Sequence, residues 1–493
     1  MKISNELCDL AAMQGLLSWD QETQMPVKGA EVRAYQLATM AGIYHDKLIS
    51  ESVGQLISKA KPKNVYDRSL IREMKREYEK ATKIPKKLVE GISEAVSRAF
   101  DKWRTSKKEN DFKSFAPYLE KVLELEVKAA ELMRKPRQSI YDVMLDNHEA
   151  DLTEHEVERV FGGIKNKLTR LTSNLTNVTR GADEKLNKMK FDEKKVKEFA
   201  KRIISEMGYD WEAGRQDESM HPFEISLGVE DVRITTWKEG KSIQELVMVA
   251  MHETGHALYE QGVNPDLERT HLAGGQGLVL HESQSRLWEN MVGRSEEFWQ
   301  ERKLPVEMDR QKFVKAVNVV KPSLVRVEAD EVTYGLHIMI RFEIEKELVA
   351  GKIKVRYLPE VWNKKYHELL GITPENDREG VLQDVHWAHG SFGYFPTYLL
   401  GTMTSAQIWN AAQKGIDVYD LKKLRGWLRE KIHRHGKVYT SKELVRMVTG
   451  EDLNPKYFLE YLENKFEKVY NVFPATFQES IRPPGRWPSL ENL

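Results

Sequence analysis

The chain contains 493 residues, and its 76 Lys and Arg residues balance its 76 Asp and Glu residues to a formal net charge of zero. A chain without excess positive charge is a poor candidate for binding nucleic acid or an anionic membrane surface. Hydrophobic residues make up 40% of the chain and charged residues 31%, as in an ordinary globular protein. Cys8 is the only cysteine, so an intrachain disulfide framework and a cysteine-rich zinc site are excluded.

The first residues and the apolar runs of the sequence bear on where the protein is located. The first residues lack the basic, apolar and small-residue series of a secretory leader, and Leu10–Trp19 instead predicts one amphipathic helix. No run approaches the roughly 18 apolar residues that a membrane span requires. Together with the single cysteine, these features predict a cytoplasmic protein without membrane contact.

Helical periodicity dominates the first 210 residues. Over residues 67–135, apolar side chains recur at steps of three and four, which is the period of a helix with one buried face. Thr153, with Glu156 three residues later, predicts the start of a helix that runs toward residue 180. A further helix is predicted from Asp192, and Gly208 marks its end.

One segment has the alternating pattern of β-strands instead. Apolar and polar residues alternate over 223–227 and again over 232–236, and residues 228–231 separate the two runs as a hairpin loop would. We therefore predict a small hairpin over residues 221–237.

Helical patterns then resume. Ser242, with Glu245 three residues later, predicts a helix that continues through Tyr259. A long helix is predicted over Ser323–Ala350, and amphipathic helices with short breaks follow from Pro396 onward.

The predicted helix after Ser242 carries the strongest chemical signal. His252 and His256 are four residues apart and share one helix face, so both imidazoles can reach one ion. Glu253 lies one residue round the helix and can reach a water on that ion without binding the ion itself. The pattern predicts a catalytic zinc site. The alternative is a pair of core histidines bonded to carbonyl groups.

A catalytic zinc ion needs a third protein ligand and one open position. Gly262 stands six residues after His256, where an extended form of the motif would have another histidine. Glu282 is the favoured third ligand, because Gly274, Gly275 and Gly277 allow the chain to turn back and lay a second helix against the first. His281 and a more distant acid remain alternatives.

Two further groups of residues can be interpreted in two ways. His386 and Tyr394 could donate hydrogen bonds to the oxyanion of a tetrahedral intermediate, or they could belong to a histidine–aromatic core cluster. Arg326 and Asp330 stand four residues apart on the predicted long helix. They could form an ordinary surface ion pair or a partly buried polar face.

The order of motifs along the chain resembles one enzyme family. The segments that carry the resemblance are His221-Pro-Phe, Asp231-Val-Arg-Ile-Thr, His252-Glu-Thr-Gly-His, His281-Glu-Ser-Gln, Val325-Arg-Val-Glu-Ala-Asp and Gly380-Val-Leu-Gln-Asp-Val-His-Trp, preceded by Trp19-Asp-Gln-Glu-Thr-Gln-Met-Pro with Arg33. This series is similar to the signature motifs of the thermostable, Taq-type metallocarboxypeptidases. Val325 stands where isoleucine is commoner, and few residues precede the Trp19 segment.

The resemblance implies a mainly α-helical, saddle-shaped subunit with a deep central groove, a small β-hairpin or sheet beside the active site, and usually a homodimer. It implies a zinc- or cobalt-dependent enzyme that removes single C-terminal amino acids from peptides with broad specificity. It carries His252, His256 and Glu282 over as metal ligands and Glu253 as the catalytic carboxylate. These four residues agree with those reached from spacing alone.

A substrate of such an enzyme is a peptide with a free C-terminus. Arg326 or Arg233 is expected to pair with its terminal carboxylate, with Asp330 orienting Arg326 from one helical turn away. His386 and Tyr394 are expected to face the groove, and the hairpin to present an edge strand to the peptide. A groove-type oligopeptidase or dipeptidyl carboxypeptidase would use the same zinc site. A non-catalytic helical scaffold with a structural metal is a further alternative.

The sequence contains no repeat, low-complexity tract or linker. We therefore predict one mostly helical domain over residues 1–493. It divides into N-terminal helices over roughly 1–210, a hairpin and zinc-site core over roughly 211–400, and C-terminal helices over roughly 401–493.

Overall fold

The computed structural model describes residues 1–472 except 220, 239–241 and 301. The helices before the sheet are α1 (Lys2–Thr23), α2 (Ala30–Leu48), α3 (Glu51–Lys59), α4 (Val65–Lys83), α5 (Lys86–Glu109), α6 (Phe112–Met133), α7 (Ile140–His148), α8 (Glu154–Thr179), α9 (Glu184–Asn187) and α10 (Glu193–Met207). The strands are β1 (Gly214–Ser219), β2 (Glu224–Gly228) and β3 (Asp231–Trp237). The helices after the sheet are α11 (Ile243–Gln261), α12 (Leu278–Arg286), α13 (Glu296–Gln300), α14 (Arg310–Val317), α15 (Tyr334–Val349), α16 (Leu358–Leu370), α17 (Phe395–Gln413), α18 (Leu421–Lys431), α19 (Ser441–Thr449) and α20 (Lys456–Tyr470).

The predicted mainly α fold is confirmed, and local signals account for several helix ends. The Thr153 hydroxyl accepts a hydrogen bond from the backbone N–H of Glu156 at the start of α8. α10 ends at Gly208, whose φ of +95° is available to glycine at little cost. None of the helices in the described ranges combines the length and the apolar character needed to cross a bilayer.

The predicted hairpin is confirmed as β2 and β3, which pair antiparallel around the turn at Gly228–Asp231. A third strand, β1, pairs with β3 in parallel and completes the sheet in the order β1-β3-β2. The pattern could not predict β1, because its residues are all polar or glycine and no apolar alternation marks it. Its pairing with β3 is supported from outside the sheet, since the Tyr209 hydroxyl donates to the carbonyl of Val232 at 2.6 Å.

The prediction of one long helix over Ser323–Ala350 is wrong in its first half. Residues Arg326–Glu328 form a single 3₁₀ turn, and α15 begins only at Tyr334. The Asp330 carboxylate explains the delay, because it accepts from the backbone N–H groups of Val332 and Thr333. Such side-chain capping satisfies the first N–H groups of a helix and fixes its start.

One contiguous apolar core extends from Ala99 in α5 to Val469 in α20. α11 runs through this core. α12 packs against α11, and α17 packs against α12. The division of the chain into three blocks stays a prediction. Its last block includes residues 473–493, which lie outside the described residues.

Candidate metal centre and active site

The two histidines of the central motif lie one turn apart on α11. The helix begins at Ser242, whose hydroxyl accepts from the backbone N–H of Glu245 at 3.1 Å. The imidazole rings of His252 and His256 are 4.9 Å apart between centroids. Both side chains are only about one-sixth exposed, at 17% and 15%. The helix face that carries both histidines is therefore largely buried within the core.

Two glycines bring a second helix against this face. A Cβ atom at Gly255 would lie 2.7 Å from the Cα of Ser285 in α12, a separation that real Cβ atoms do not tolerate. A Cβ atom at Gly401 of α17 would lie 2.7 Å from the Cβ of Glu282. Because both glycines lack a side chain, α12 sits tightly between α11 and α17 and directs Glu282 toward the histidines.

His252, His256 and Glu282 form a group whose ligand atoms all lie within 4.8 Å of one another. Glu282 Oε2 is 3.7 Å from His252 Nε2 and 3.6 Å from His256 Nε2. Tetrahedral ligands at zinc–ligand distances of ~2.0–2.1 Å are separated from one another by about 3.3–3.4 Å. Both carboxylate–imidazole separations exceed this value by only a few tenths of an ångström, so the three side chains are grouped closely enough to hold a small divalent cation.

His252 is held from behind by a carboxylate. Its Nδ1 atom lies 2.9 Å from Oε2 of Glu289, which leaves Nε2 directed at Glu282. Glu289 belongs to a π-helical turn, Leu287–Val292, that continues α12. Such turns change which side of a helix a residue faces, and they occur often at functional sites. A carboxylate behind a histidine ligand fixes its ring and raises its basicity.

His256 is held by a second histidine. Its Nδ1 atom lies 2.6 Å from Nδ1 of His281, and Nε2 of His281 lies 2.9 Å from Oε1 of Glu260. Glu260 in turn accepts from the backbone N–H of Gly275 at 2.7 Å. The structure thus places His281, an alternative third ligand, behind His256 and leaves Glu282 as the carboxylate that faces both histidines.

The charges around the site are strongly coupled. Burial alone would raise the pKa of Glu282, but Arg286 and His252 hold it well below its usual range. Burial lowers the pKa of His256 to about 3, so its imidazole is neutral. Burial also opposes charge on His252, yet Glu282 and Glu289 raise its pKa. One ionised carboxylate beside imidazole ligands is the donor set that a divalent ion requires.

Glu253 lies beside the ligands and is 7% exposed. Burial and the charges of Glu282 and Glu289 raise its pKa to about 7, with His252 acting in the opposite direction. Glu224 on β2 is a further acidic residue beside Glu253. Burial raises its pKa most, and the charges of Glu260 and Glu253 raise it further. A carboxylate with a pKa near neutrality is suited to accept and return a proton.

Arg326 lies in a second buried cluster. Its Nε and Nη2 atoms donate to Oδ1 of Asp384 at 3.0 and 2.9 Å, and its Nη1 donates to the Tyr334 hydroxyl at 3.1 Å. Arg341 donates to the other oxygen of Asp384 at 2.7 Å. The expectation that Asp330 orients Arg326 is therefore wrong, because Asp330 caps the start of α15 and Asp384 takes its place.

His386 and Tyr394 lie next to each other, with ring centroids 5.3 Å apart. His386 Nε2 is 3.3 Å from the Tyr398 hydroxyl, and its buried Nδ1 has no hydrogen-bond partner among the described residues. Burial and the nearby charge of Arg326 lower the pKa of His386 to about 3. Burial and the charge of Glu282 raise the pKa of Tyr394.

Arg233 lies apart from this cluster, on β3. Its Nε and Nη2 atoms donate to the two oxygens of Asp231 at 2.7 and 2.8 Å. Its guanidinium also covers the ring of Trp19 at 4.5 Å. Both the edge and one face of this guanidinium are therefore in use within the protein.

The residues that support the candidate metal ligands were not predicted from the sequence. Arg286 and Glu289 follow Glu282 by four and seven residues, which is the spacing of one helix face, so a signal was present. No comparable signal marks Glu260 or Asp384, because each meets its partner through tertiary contact alone.

The whole chain is similar to known proteins. Residues 1–466 match the sequence model of the family described as Carboxypeptidase Taq (M32) metallopeptidase. The chain belongs to this family. It is accordingly an enzyme of the metallocarboxypeptidase class, as the order of its motifs predicted.

Individual members of the family are similar along their whole length. Thermostable carboxypeptidase 1 of Thermus thermophilus is 36% identical over 95% of this chain and 98% of the relative. Thermostable carboxypeptidase 1 of Pyrococcus furiosus is 37% identical over 92% of this chain and 95% of the relative. The crystal structure of the M32 carboxypeptidase from Deinococcus radiodurans superimposes with a TM-score of 0.90, at 36% identity, over 96% of this chain and 98% of that one.

Proposed function

We propose that the enzyme is a zinc-dependent carboxypeptidase that releases single C-terminal amino acids from peptides with broad specificity, and that cobalt can replace zinc. The observation that carries the proposal is the group of His252, His256 and Glu282 with Glu253 beside it. This group offers three protein ligand atoms among the described residues. Three ligands and an open position are typical of a catalytic zinc site, whereas a structural site is usually closed by a fourth. This favours an enzyme over a non-catalytic scaffold.

The chemistry divides between the ion and the chain. A divalent cation held by these residues would act as a Lewis acid: it would polarise the scissile carbonyl and lower the pKa of the attacking water. Glu253 accepts the proton of the attacking water and returns it to the leaving amine. Its burial supports this role, because a carboxylate with a pKa near 7 can both take up and release a proton at neutral pH.

We propose that two side chains stabilise the developing oxyanion. In this proposal, His386 and Tyr394 donate hydrogen bonds to it. Two features support the assignment: His386 is neutral and has one nitrogen without a hydrogen-bond partner among the described residues, and the rings of His386 and Tyr394 lie 5.3 Å apart between centroids. Donors fixed in a buried site need no reorientation during the reaction.

Arg326 is the favoured partner of the substrate's terminal carboxylate. Arg326 and Arg341 share the single carboxylate of Asp384, so the cluster retains excess positive charge. Arg233, by contrast, is neutralised by its own Asp231 and stacked on Trp19. A buried cluster with an uncompensated positive charge favours an anionic ligand.

The proposal is tested by the timed release of products from a decapeptide with a free C-terminus, with and without a chelator. We expect single amino acids to appear one after another from the C-terminus, and chelation to stop their release. The C-terminal amide of the same peptide is the matched control, and it should be cleaved poorly. Equal cleavage of both forms, or release of dipeptides, would identify an oligopeptidase or a dipeptidyl carboxypeptidase instead.

The oligomeric state and the cellular compartment of the protein are also part of the proposed function. We infer a cytoplasmic homodimer. The single cysteine supports a reducing compartment. Large apolar side chains on α1 and α2 are strongly exposed, including Met13 at 56%, Val32 at 60% and Tyr35 at 67%, and such a surface favours contact with a second copy. Light scattering after size-exclusion chromatography measures the mass directly. A monomer at micromolar concentration would exclude the homodimer.

A further inference from the structure

Arg286 is a half-buried cation that the proposed mechanism does not use. It lies one helical turn after Glu282 on α12, and its Nε atom donates to Oε1 of that carboxylate at 2.7 Å. Its Nη1 atom donates to Oε2 of Glu289 at 3.1 Å. One guanidinium thus contacts both a metal ligand and the carboxylate that holds His252.

The contact with Glu282 is specific for one of its two oxygens. Arg286 occupies Oε1, whereas Oε2 is the oxygen that lies 3.7 and 3.6 Å from the nitrogens of His252 and His256. The Ser285 hydroxyl approaches Oε2 only at 3.3 Å. Because Oε1 is already engaged, the carboxylate presents a single oxygen to the position between the histidines.

Arg286 is itself held in place by an aromatic ring. Its guanidinium lies over the Tyr334 ring at 4.5 Å, and the Tyr334 hydroxyl accepts from Nη1 of Arg326 at 3.1 Å. A guanidinium can stack on a ring and donate from its edge simultaneously, which an ammonium group cannot do. The chain of contacts from the metal ligand to Arg326 therefore passes through only two side chains, Arg286 and Tyr334.

We propose that Arg286 is a positioning residue that holds Glu282 as a ligand through one oxygen and joins the metal centre to the Arg326 cluster. The inference rests on the metal site of the proposed function. It predicts that the two donor directions of Arg286, rather than its positive charge alone, determine how tightly the ion is held.

The experiment compares Arg286→Lys, which keeps the charge but loses the two fixed donor directions of the guanidinium, with wild type and with Arg294→Lys. Arg294 is the matched control, since it also donates to Glu289, at 3.2 Å, but contacts neither Glu282 nor Tyr334 in the structure. The Kd for Zn²⁺ is measured by competition with a chromophoric chelator, and thermal unfolding of the metal-free proteins reports folding. Outer contacts of this kind affect metal affinity by roughly 10- to 100-fold.

We expect Arg286→Lys to weaken Zn²⁺ binding roughly 10- to 100-fold, with a smaller loss in Arg294→Lys. The visible absorption of the Co²⁺-loaded Arg286→Lys variant should also fall in intensity, because a freed Oε1 can join the coordination sphere. Tyr334→Phe keeps the ring and should retain wild-type Zn²⁺ affinity. It should raise KM for free-acid peptides, because Arg326 loses a partner.

Two outcomes would overturn the inference: a folded Arg286→Lys variant with wild-type Zn²⁺ affinity, or equal weakening by Arg286→Lys and Arg294→Lys. Failure of wild type to bind Zn²⁺ would be a different result, since it would reject the metal site of the proposed function and the inference with it. The measurement of Kd requires no turnover, so the two failures are distinguishable.

Discussion

Arg326 Nη2 lies 2.9 Å from Asp384 Oδ1, although 58 residues separate the two along the chain. Both side chains are nearly buried, at 8% and 11% exposure. Arg326 therefore depends for its orientation on a residue in the segment before α17, together with the Tyr334 hydroxyl at the start of α15. Within the described residues, these contacts and the one to Tyr334 use three of the five guanidinium N–H groups of Arg326, which leaves two for a second carboxylate.

Arg326→Ala should lower kcat/KM on a free-acid peptide by roughly two to three orders of magnitude, because a buried charge-assisted contact to the terminal carboxylate is lost. The loss should largely vanish on the C-terminal amide, which has no carboxylate to bind. Kinetics of both enzymes on both peptides measure this. A preference for the acid that survives in the variant would place the carboxylate elsewhere, and Arg233 would be the next candidate.

Asp384→Asn should raise KM for the free-acid peptide more than it lowers kcat. The amide cannot balance the charges of Arg326 and Arg341, and Arg326 loses its fixed orientation. Asp330→Asn is the matched control, because Asp330 caps α15 without contacting either arginine in the structure. If the two substitutions raise KM equally, the orienting role of Asp384 is refuted.

The roles of the two central glutamates can be separated by isosteric substitution. Glu253→Gln should retain the ion and lose activity by several orders of magnitude, since the amide cannot accept a proton. Glu282→Gln should instead weaken metal retention first, because it removes a charged ligand. Metal content by elemental analysis and kcat on one peptide give both quantities. The roles are reversed if Glu253→Gln loses its ion while Glu282→Gln keeps it.

Removal of the metal should abolish activity without unfolding the protein, because a large apolar core supports the site. Dialysis against a chelator, followed by addition of about one equivalent of Zn²⁺ or Co²⁺ per chain, should restore activity. Circular dichroism follows the fold in parallel. A metal-free preparation that stays fully active would reject the mechanism.

The pH dependence of kcat/KM should reflect Glu253 and not His386. Glu253 acts as a base only when ionised, so activity should rise with pH through its pKa. That value is about 7 without metal, and a bound dication should lower it because it favours the carboxylate.

His386, with a pKa of about 3, stays neutral between pH 5 and 9. His386→Gln should therefore lower the rate roughly 10²-fold with an unchanged acid limb. If the His386→Gln variant no longer shows the rise of kcat/KM with pH, that rise is due to His386 and not to Glu253.

Close approach of α11 and α12 should make Gly255 intolerant of any side chain. Gly255→Ala should cost about 1–3 kcal/mol of unfolding free energy, because the Ser285 backbone must move away. Zn²⁺ affinity should fall as well, since Glu282 moves with α12. Gly91→Ala in α5 is the control, because outside the adjacent backbone of α5 no atom of the described residues lies within 4 Å of its added methyl group. That substitution should be neutral or stabilising. Equal stability of the two variants would contradict the packing argument.

The sequence by itself determined much of this protein. The four-residue spacing of His252 and His256 places both on one helix face whatever surrounds them, because helix geometry is local. The caps at Thr153 and Ser242 are also local, and they mark helix starts correctly. The order of motifs indicated the family, since each motif is readable without knowledge of its neighbours in space.

Only the tertiary structure decided which groups support the site. Asp384 replaces Asp330 as the partner of Arg326 because Asp330 is used by the start of α15, a competition that helical periodicity does not reveal. β1 forms because β3 offers it backbone hydrogen bonds, and its own residues carry no strand pattern. Spacing along a chain reports contacts within one element, whereas ion pairs and strand pairing across the core depend on how the elements pack.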